Sequence, residues 1–173
     1  HLKGAKQFWQ ALQRIAVIKD ETIKDKRAIS LWDLKNGQLS NGNQMNCPTL
    51  EILLLHSSII RFEVSNVCFE RLNLLKILAF LTCDYTWDYR WWQPKRCTVS
   101  PPQSIESLKN LHNLCLRGCK LGDISILENQ QALEILDLRC SCFDELPNGI
   151  VELKKLKVLD LYNCRIKKNN AYE

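Results

Sequence analysis

An α/β solenoid, with short parallel strands on a concave face and short helices and turns on a convex one, is the fold class this sequence predicts. Three observations predict it. The first is a unit that occurs three times in register: Leu111, Leu114, Leu116, Cys119 and Leu121; then Leu133, Leu136, Leu138, Ser141 and Phe143, 22 residues on; then Leu156, Leu159, Leu161, Cys164 and Ile166, 23 further. Its L-x-x-L-x-L-x-x-C-x-L template is that of a leucine-rich repeat. The second is an apolar beat every three residues ahead of the strands, in Phe69, Leu72, Leu75; Ile105, Leu108, Leu111; and Ile150, Leu153, Leu156. That spacing suits a short helical turn. The third is proline placement: Pro102 and Pro147 stand three residues ahead of Ile105 and Ile150 and constrain the backbone entering the turn.

The template works because side chains alternate along a strand, so its leucines point into the coil while the intervening residues face out. One coil cannot bury its own apolar face, which makes stacking obligatory. The elements follow in order. Residues 5 to 18 place Phe8, Leu12, Ile15 and Ile18 at helical spacing, so residues 1–25 read as an N-terminal helical segment, the remnant of a winged-helix region or a cap. Residues 26–173 read as the repeat domain. Its first strand is degenerate: Ile29 and Leu31 match, but Lys26 occupies the first apolar slot, as a terminal repeat tolerates. Asn36-Gly37 and Asn41-Gly42 mark turns. Units at Leu50, Leu53, Leu55 and at Leu75, Leu78, Phe80 follow. Gln130 stands where the apolar beat wants a leucine, and a buried amide there needs a partner.

From Leu75 to Leu111 the period stretches to 36 residues, and the excess forms an insertion at residues 84–96. It carries Tyr85, Trp87, Tyr89, Trp91 and Trp92. Two readings stay open: rings folded back over a neighbouring repeat, or a partner-binding hot spot, since Trp, Tyr and Arg dominate such spots.

Composition narrows the function classes. With 46% hydrophobic and 25% charged residues the chain is ordinary for a globular protein. Its apolar runs of about five residues fall far short of the ~20 a membrane-spanning helix needs. The start, His1-Leu2-Lys3-Gly4, has neither an initiator Met nor an apolar leader, so a fragment or internal cut is expected, and secretion is not. Nine cysteines occur without any C-x-x-C, and Cys83, Cys119 and Cys164 hold the turn slot of the repeat. They are expected to be reduced, small apolar plugs, which points to a cytoplasmic setting rather than to bridges or zinc. The net charge of +5 is split between the first residues and the tail without interleaved aromatics, so no nucleic-acid groove is expected.

No phosphate-binding loop, dinucleotide fingerprint, nucleophile elbow or zinc-protease motif occurs. Asp137 and Asp160 fall at equivalent strand positions, which allows a carboxylate dyad in principle. An open sheet offers no dry pocket in which one carboxyl could act as an acid, so exposed charge on a binding face is expected instead. We therefore expect no catalytic, cofactor or metal residues. The candidate site is a protein-binding concave face made of Ile52, Leu54 and His56; Ile77, Ala79 and Leu81; Asn113, Cys115 and Arg117; Ile135, Asp137 and Arg139; and Val158, Asp160 and Tyr162. Along it the stripe passes from apolar to charged.

Several stretches together, namely Arg27-Ala-Ile-Ser-Leu31, Cys47-Pro with Leu50-Glu-Ile-Leu53, Phe62-Glu with Cys68-Phe69, Leu75-Lys-Ile-Leu78 and Leu146-Pro with Ile150 and Leu153, resemble the start of the repeat domain in plant intracellular immune receptors. These are the nucleotide-binding leucine-rich-repeat disease-resistance proteins of the coiled-coil class. The resemblance implies a non-catalytic recognition module acting in the defence response to pathogens. Its implied partners are proteins: other receptor domains of the same molecule, a pathogen effector or a guarded host protein. It also implies ADP or ATP only in a separate nucleotide-binding domain. Ala11-Leu12 and Ile15-Ala16 resemble the end of that family's winged-helix segment, yet Lys3-Gly4-Ala5 stands where its Met-His-Asp triplet belongs, so the nucleotide-sensing His is absent. A truncated product, a decoy-like fragment and an excised domain all fit. The alternative function is a repeat-bearing adaptor or substrate receptor for an enzyme complex such as a ubiquitin ligase; residues 1 to 25 show no docking motif for one.

Overall fold

A computed structural model describes residues 25–31, 39, 45–57, 64–82, 97–98 and 103–167. The expected N-terminal helix and the aromatic insertion with Tyr85, Trp87, Tyr89, Trp91 and Trp92 lie outside the described residues, as does Cys83.

Among the described residues the strands are β1 Ala28–Leu31, β2 Ile52–Ser57, β3 Ile77–Thr82, β4 Cys97–Thr98, β5 Asn113–Arg117, β6 Cys119–Gly122, β7 Ile135–Asp137, β8 Cys142–Phe143, β9 Val158–Asp160 and β10 Arg165–Ile166. Strands β1, β2, β3, β5, β7 and β9 build one parallel sheet in that order. Parallel neighbours need a crossover, and here each crossover is one turn of the coil, so the solenoid class is as expected. The degenerate first unit does form a strand, with Ile29 opposite Leu53 and Leu31 opposite Leu55.

Every junction uses one device. The carbonyls of Arg27, Glu51, Lys76, His112 and Glu134 each accept two N–H groups from the start of the next coil, at 2.7–3.1 Å. That pins the register, so the first strand leucines stack as Leu53, Leu78, Leu114, Leu136 and Leu159. The first four are fully buried.

A second parallel sheet, β4-β6-β8-β10, runs along the turns that leave the concave strands. Strands of two to four residues carry too little alternation to be read from sequence. Ahead of each turn the backbone is left-handed, with φ +69° at Gly118, +62° at Cys140 and +58° at Asn163. Glycine adopts this freely and asparagine tolerates it, whereas Cys140 is strained.

The turn slot corrects an expectation. Cys119 is fully buried, but Cys164 is only half-buried, and the slot is not merely an apolar plug. Ser141 Oγ donates to Leu116 O at 2.6 Å and accepts from Cys119 N at 3.0 Å; Cys164 Sγ donates to Leu138 O at 2.8 Å. The slot thus satisfies a carbonyl of the preceding coil that would otherwise lie buried without a donor.

On the convex side the apolar beats form 3₁₀ turns at Gln103–Ser107, Ser125–Asn129 and Asn148–Glu152. Pro147, at φ −63°, enters the last of these as expected. Gln130 is buried, and its amide donates to Ile105 O at 2.9 Å, which supplies the partner the sequence called for. Gly149 lies so close to Glu128 that a Cβ would sit 2.7 Å from its carboxyl carbon, while Gly149 N donates to that carboxylate at 3.2 Å.

Candidate functional site

Because the leucines point inward, the intervening residues of β2, β3, β5, β7 and β9 form the concave face, in three rows. Ile52, Ile77, Asn113, Ile135 and Val158 are in register in the first row; Leu54, Ala79, Cys115, Asp137 and Asp160 in the second. His56, Leu81 and Arg117 begin the third, and Arg139 and Tyr162 continue it just beyond the strand ends. The structure therefore brings all of the expected concave positions together.

It does not expose them all. His56, Ala79 and Asp137 are buried, at 6%, 6% and 7% relative exposure, where open positions were expected. Ala79 is small and flanked by Leu54 and Cys115 on the neighbouring strands. Asp137 is covered by the guanidiniums that bind it. Arg117 Nε donates to Oδ2 at 2.6 Å; Arg139 Nη2 donates to the same oxygen at 3.0 Å, and its Nε and backbone N both reach Oδ1 at 3.1 Å. Arg139 Nε also lies 3.2 Å from Asp160 Oδ2, and Asp160 Oδ1 accepts from Tyr162 N at 3.0 Å. The two carboxylates that sequence alone offered as a dyad are thus anchors that hold two guanidiniums in place. Such charge-assisted pairs are the strong ones among hydrogen bonds.

The face therefore has two halves. At β2 and β3 it is apolar apart from the buried His56, with Ile52, Leu54, Ile77 and Leu81 half-buried. At β7 and β9 it carries the ionic network, flanked by the exposed Ile135, Val158 and Tyr162. An edge row missed by the sequence reading runs beside it: Arg27, Glu51, Lys76, His112, Glu134 and Lys157, the residues ahead of each strand. Glu51 pairs with Arg27 at 2.6 Å and Lys76 at 2.8 Å, and Glu134 with Lys157 at 2.7 Å. Bonds from Lys76 and then Arg27 hold the Glu51 carboxyl below the usual carboxylate range, and Lys157 does the same for Glu134. The signal was in the sequence as alternating charge at one template slot.

Several thiols of the repeat are held protonated by burial. Burial, with the nearby Asp137 carboxylate second, pushes the Cys115 thiol up to about 12, and burial pushes Cys68 up to about 12. Burial likewise raises Cys47, Cys140 and Cys164. A thiol held protonated is a poor nucleophile. Cys47, Cys68, Cys115, Cys119, Cys140, Cys142 and Cys164 are thiols outside any disulfide. Among the described residues no group of three or more His, Cys, Asp or Glu could hold a metal ion, and no helix is long and apolar enough to cross a membrane.

Comparison with known proteins adds the kinship. No family model matches the chain. A disease resistance protein of Arabidopsis thaliana is 30% identical over 144 residues, 83% of this chain and 13% of that protein. The chain is a relative of plant disease-resistance proteins. Receptor like protein 23 of the same plant is 27% identical over 135 residues, 76% of this chain and 14% of its own length. The chain therefore spans about a seventh of the resistance and receptor-like relatives it matches. A crystal structure of the Arabidopsis receptor kinase HAESA with the peptide hormone IDA and the co-receptor SERK1 overlays 86% of this chain on 28% of that one, with a TM-score of 0.42 and 20% identity.

Proposed function

We propose that the chain is a non-catalytic protein-recognition module of a plant intracellular immune receptor, acting in the cytoplasm in defence against pathogens. The observation that carries this is the two-part concave face. Its apolar half, at Leu54 and Leu81, suits another domain of the receptor. Its half at Arg117, Asp137, Arg139 and Asp160 suits a polar partner surface, because guanidiniums held rigid by carboxylates lose little entropy on meeting a ligand. The kinship with a disease resistance protein supports the defence setting. A coiled-coil-class receptor with a separate ADP- or ATP-binding domain is the finer reading, and the network of buried leucines and protonated thiols supports the non-catalytic one.

Affinity capture from plant extract tests it. The wild-type chain is expected to retain immune-receptor domains, to lose them on joint Leu54→Glu and Leu81→Glu substitution, and to lose a different partner on Val158→Glu with Tyr162→Ala. Retention of every partner by both variants sinks the two-part reading. Recovery of ubiquitin-ligase subunits would favour the adaptor role instead.

A further inference from the structure

On β5 and β7, strands with a neighbour on either side, the concave rows bring apolar, acidic and basic positions together. Ile135 is in register with Val158, and both are exposed; two residues on, Asp137 is in register with Asp160. Arg117 and Arg139 follow in the third row, where Gly118 N donates to Arg139 O and ties their two coils together. Rows two residues apart on a strand lie about 6.6 Å apart, close to the length of an indole ring.

Two guanidiniums and two carboxylates leave this patch with no net charge. Asp137 is engaged by both arginines: Arg117 Nε donates to Oδ2 at 2.6 Å, and Arg139 places Nε on Oδ1 at 3.1 Å and Nη2 on Oδ2 at 3.0 Å. Two N–H groups meeting two oxygens hold the Arg139 guanidinium and the carboxylate near one plane. The guanidinium is thus engaged along its edge, while 36% of the Arg139 side chain and 43% of the Arg117 side chain face solvent. What remains for a partner is the face of the cation, and an aromatic ring is the group that lies on such a face. An acidic side chain meets Asp160 and finds both arginines already compensated. A basic one meets two guanidiniums, and an aliphatic one strips their water without replacing it. Asp160 adds a requirement. Its Oδ1 accepts from Tyr162 N at 3.0 Å and its Oδ2 lies 3.2 Å from Arg139 Nε, yet a carboxylate has about four acceptor sites and this side chain is 33% exposed.

We propose that the patch seats a Trp or Tyr side chain of the partner protein, with its ring on the guanidinium faces of Arg117 and Arg139, its apolar edge on Ile135 and Val158, and its N–H or O–H donated to Asp160. This rests on the recognition role above and adds the chemistry of what is recognised: a neutral aromatic donor rather than an acidic segment. Asp137 is the positioning residue, because it fixes both arginines before the ring arrives, so little rotamer freedom is lost on contact.

The test titrates the chain with capped tripeptides, Gly-Trp-Gly, Gly-Tyr-Gly, Gly-Phe-Gly and Gly-Asp-Gly, and follows the Arg117 and Arg139 Nε–H signals and the Ile135 and Val158 methyls by NMR. The Trp and Tyr peptides are expected to give saturable upfield ring-current shifts at these groups. The Phe peptide, which has no donor for Asp160, is expected to bind about threefold or more weaker, and the Asp peptide to give no saturable shift. Arg139→Lys keeps the charge and removes the plane, so it is expected to weaken the Trp peptide about two- to fivefold. Stronger shifts with the Asp peptide, equal binding of Phe and Trp, or no shift with Trp overturns the proposal on the wild-type chain alone; undiminished Trp binding by Arg139→Lys overturns the stacking. The titration contains no plant extract, so its failure leaves the affinity-capture result standing, and failed capture leaves the titration readable.

Discussion

The coils from Leu111 to Phe143 and the coil from Leu156 to Ile166 carry one template and differ in their neighbours. Leu133, Leu136, Leu138 and Phe143 lie between two coils and are fully buried; Leu159 has a coil on one side and is 37% exposed. The same contrast separates Ser141, bonded to Leu116 and Cys119, from the half-buried Cys164. In a solenoid a side chain's environment is set by the stacking neighbours rather than by its own coil, so identical motifs are worth different amounts at different positions.

The largest effect that would break this comparison is in the leucines. Leu136→Ala is expected to destabilise the chain by about 2–5 kcal/mol, because it leaves a cavity walled on both sides. Leu159→Ala should cost about 1 kcal/mol, since less apolar area leaves contact and solvent fills the gap. Urea midpoints check both, and equal losses would mean the last coil is covered. In the turn slot, Ser141→Ala strands the Leu116 carbonyl and Cys119 amide at a cost of about 1–3 kcal/mol. Cys164→Ala loses a weaker thiol donor at a more open site, so its midpoint should move less.

The smallest effect is electrostatic and concerns the edge row. The Glu51 and Glu134 carboxyls titrate below their ordinary value of 4.5 in the folded chain because of Lys76, Arg27 and Lys157. A depressed folded value means that the stabilisation is complete above the unfolded value and is lost as pH falls through the folded one. The thermal midpoint should therefore drop more steeply below about pH 4.5 in the wild type than in a Glu51→Gln, Glu134→Gln variant. Parallel curves would show that these exposed pairs contribute nothing, which is common for surface ion pairs.

Much of this was legible from residues. Leu111, Leu133 and Leu156 marked the coils, Phe69, Ile105 and Ile150 marked the convex turns, and Gln130 announced a bond that Ile105 supplies. The concave positions followed from alternation, since the residues between inward leucines must face out. Their exposure did not follow. Asp137 looked like free charge until Arg117 and Arg139, one on the neighbouring coil, closed over it. The second sheet was also hidden, because strands as short as Cys142–Phe143 and Arg165–Ile166 owe their pairing to the coils on either side.

By itself the sequence determined the repeat, its period, the inward set of leucines and the alternating edge charges, because these are local properties of a template that recurs. Only the tertiary structure decided which thiols and hydroxyls donate to a neighbouring coil, which concave residues are covered and where the stack is left open. Each of those depends on residues some 20 to 26 positions apart being brought alongside by the turn of the coil, a proximity the template permits but does not itself specify.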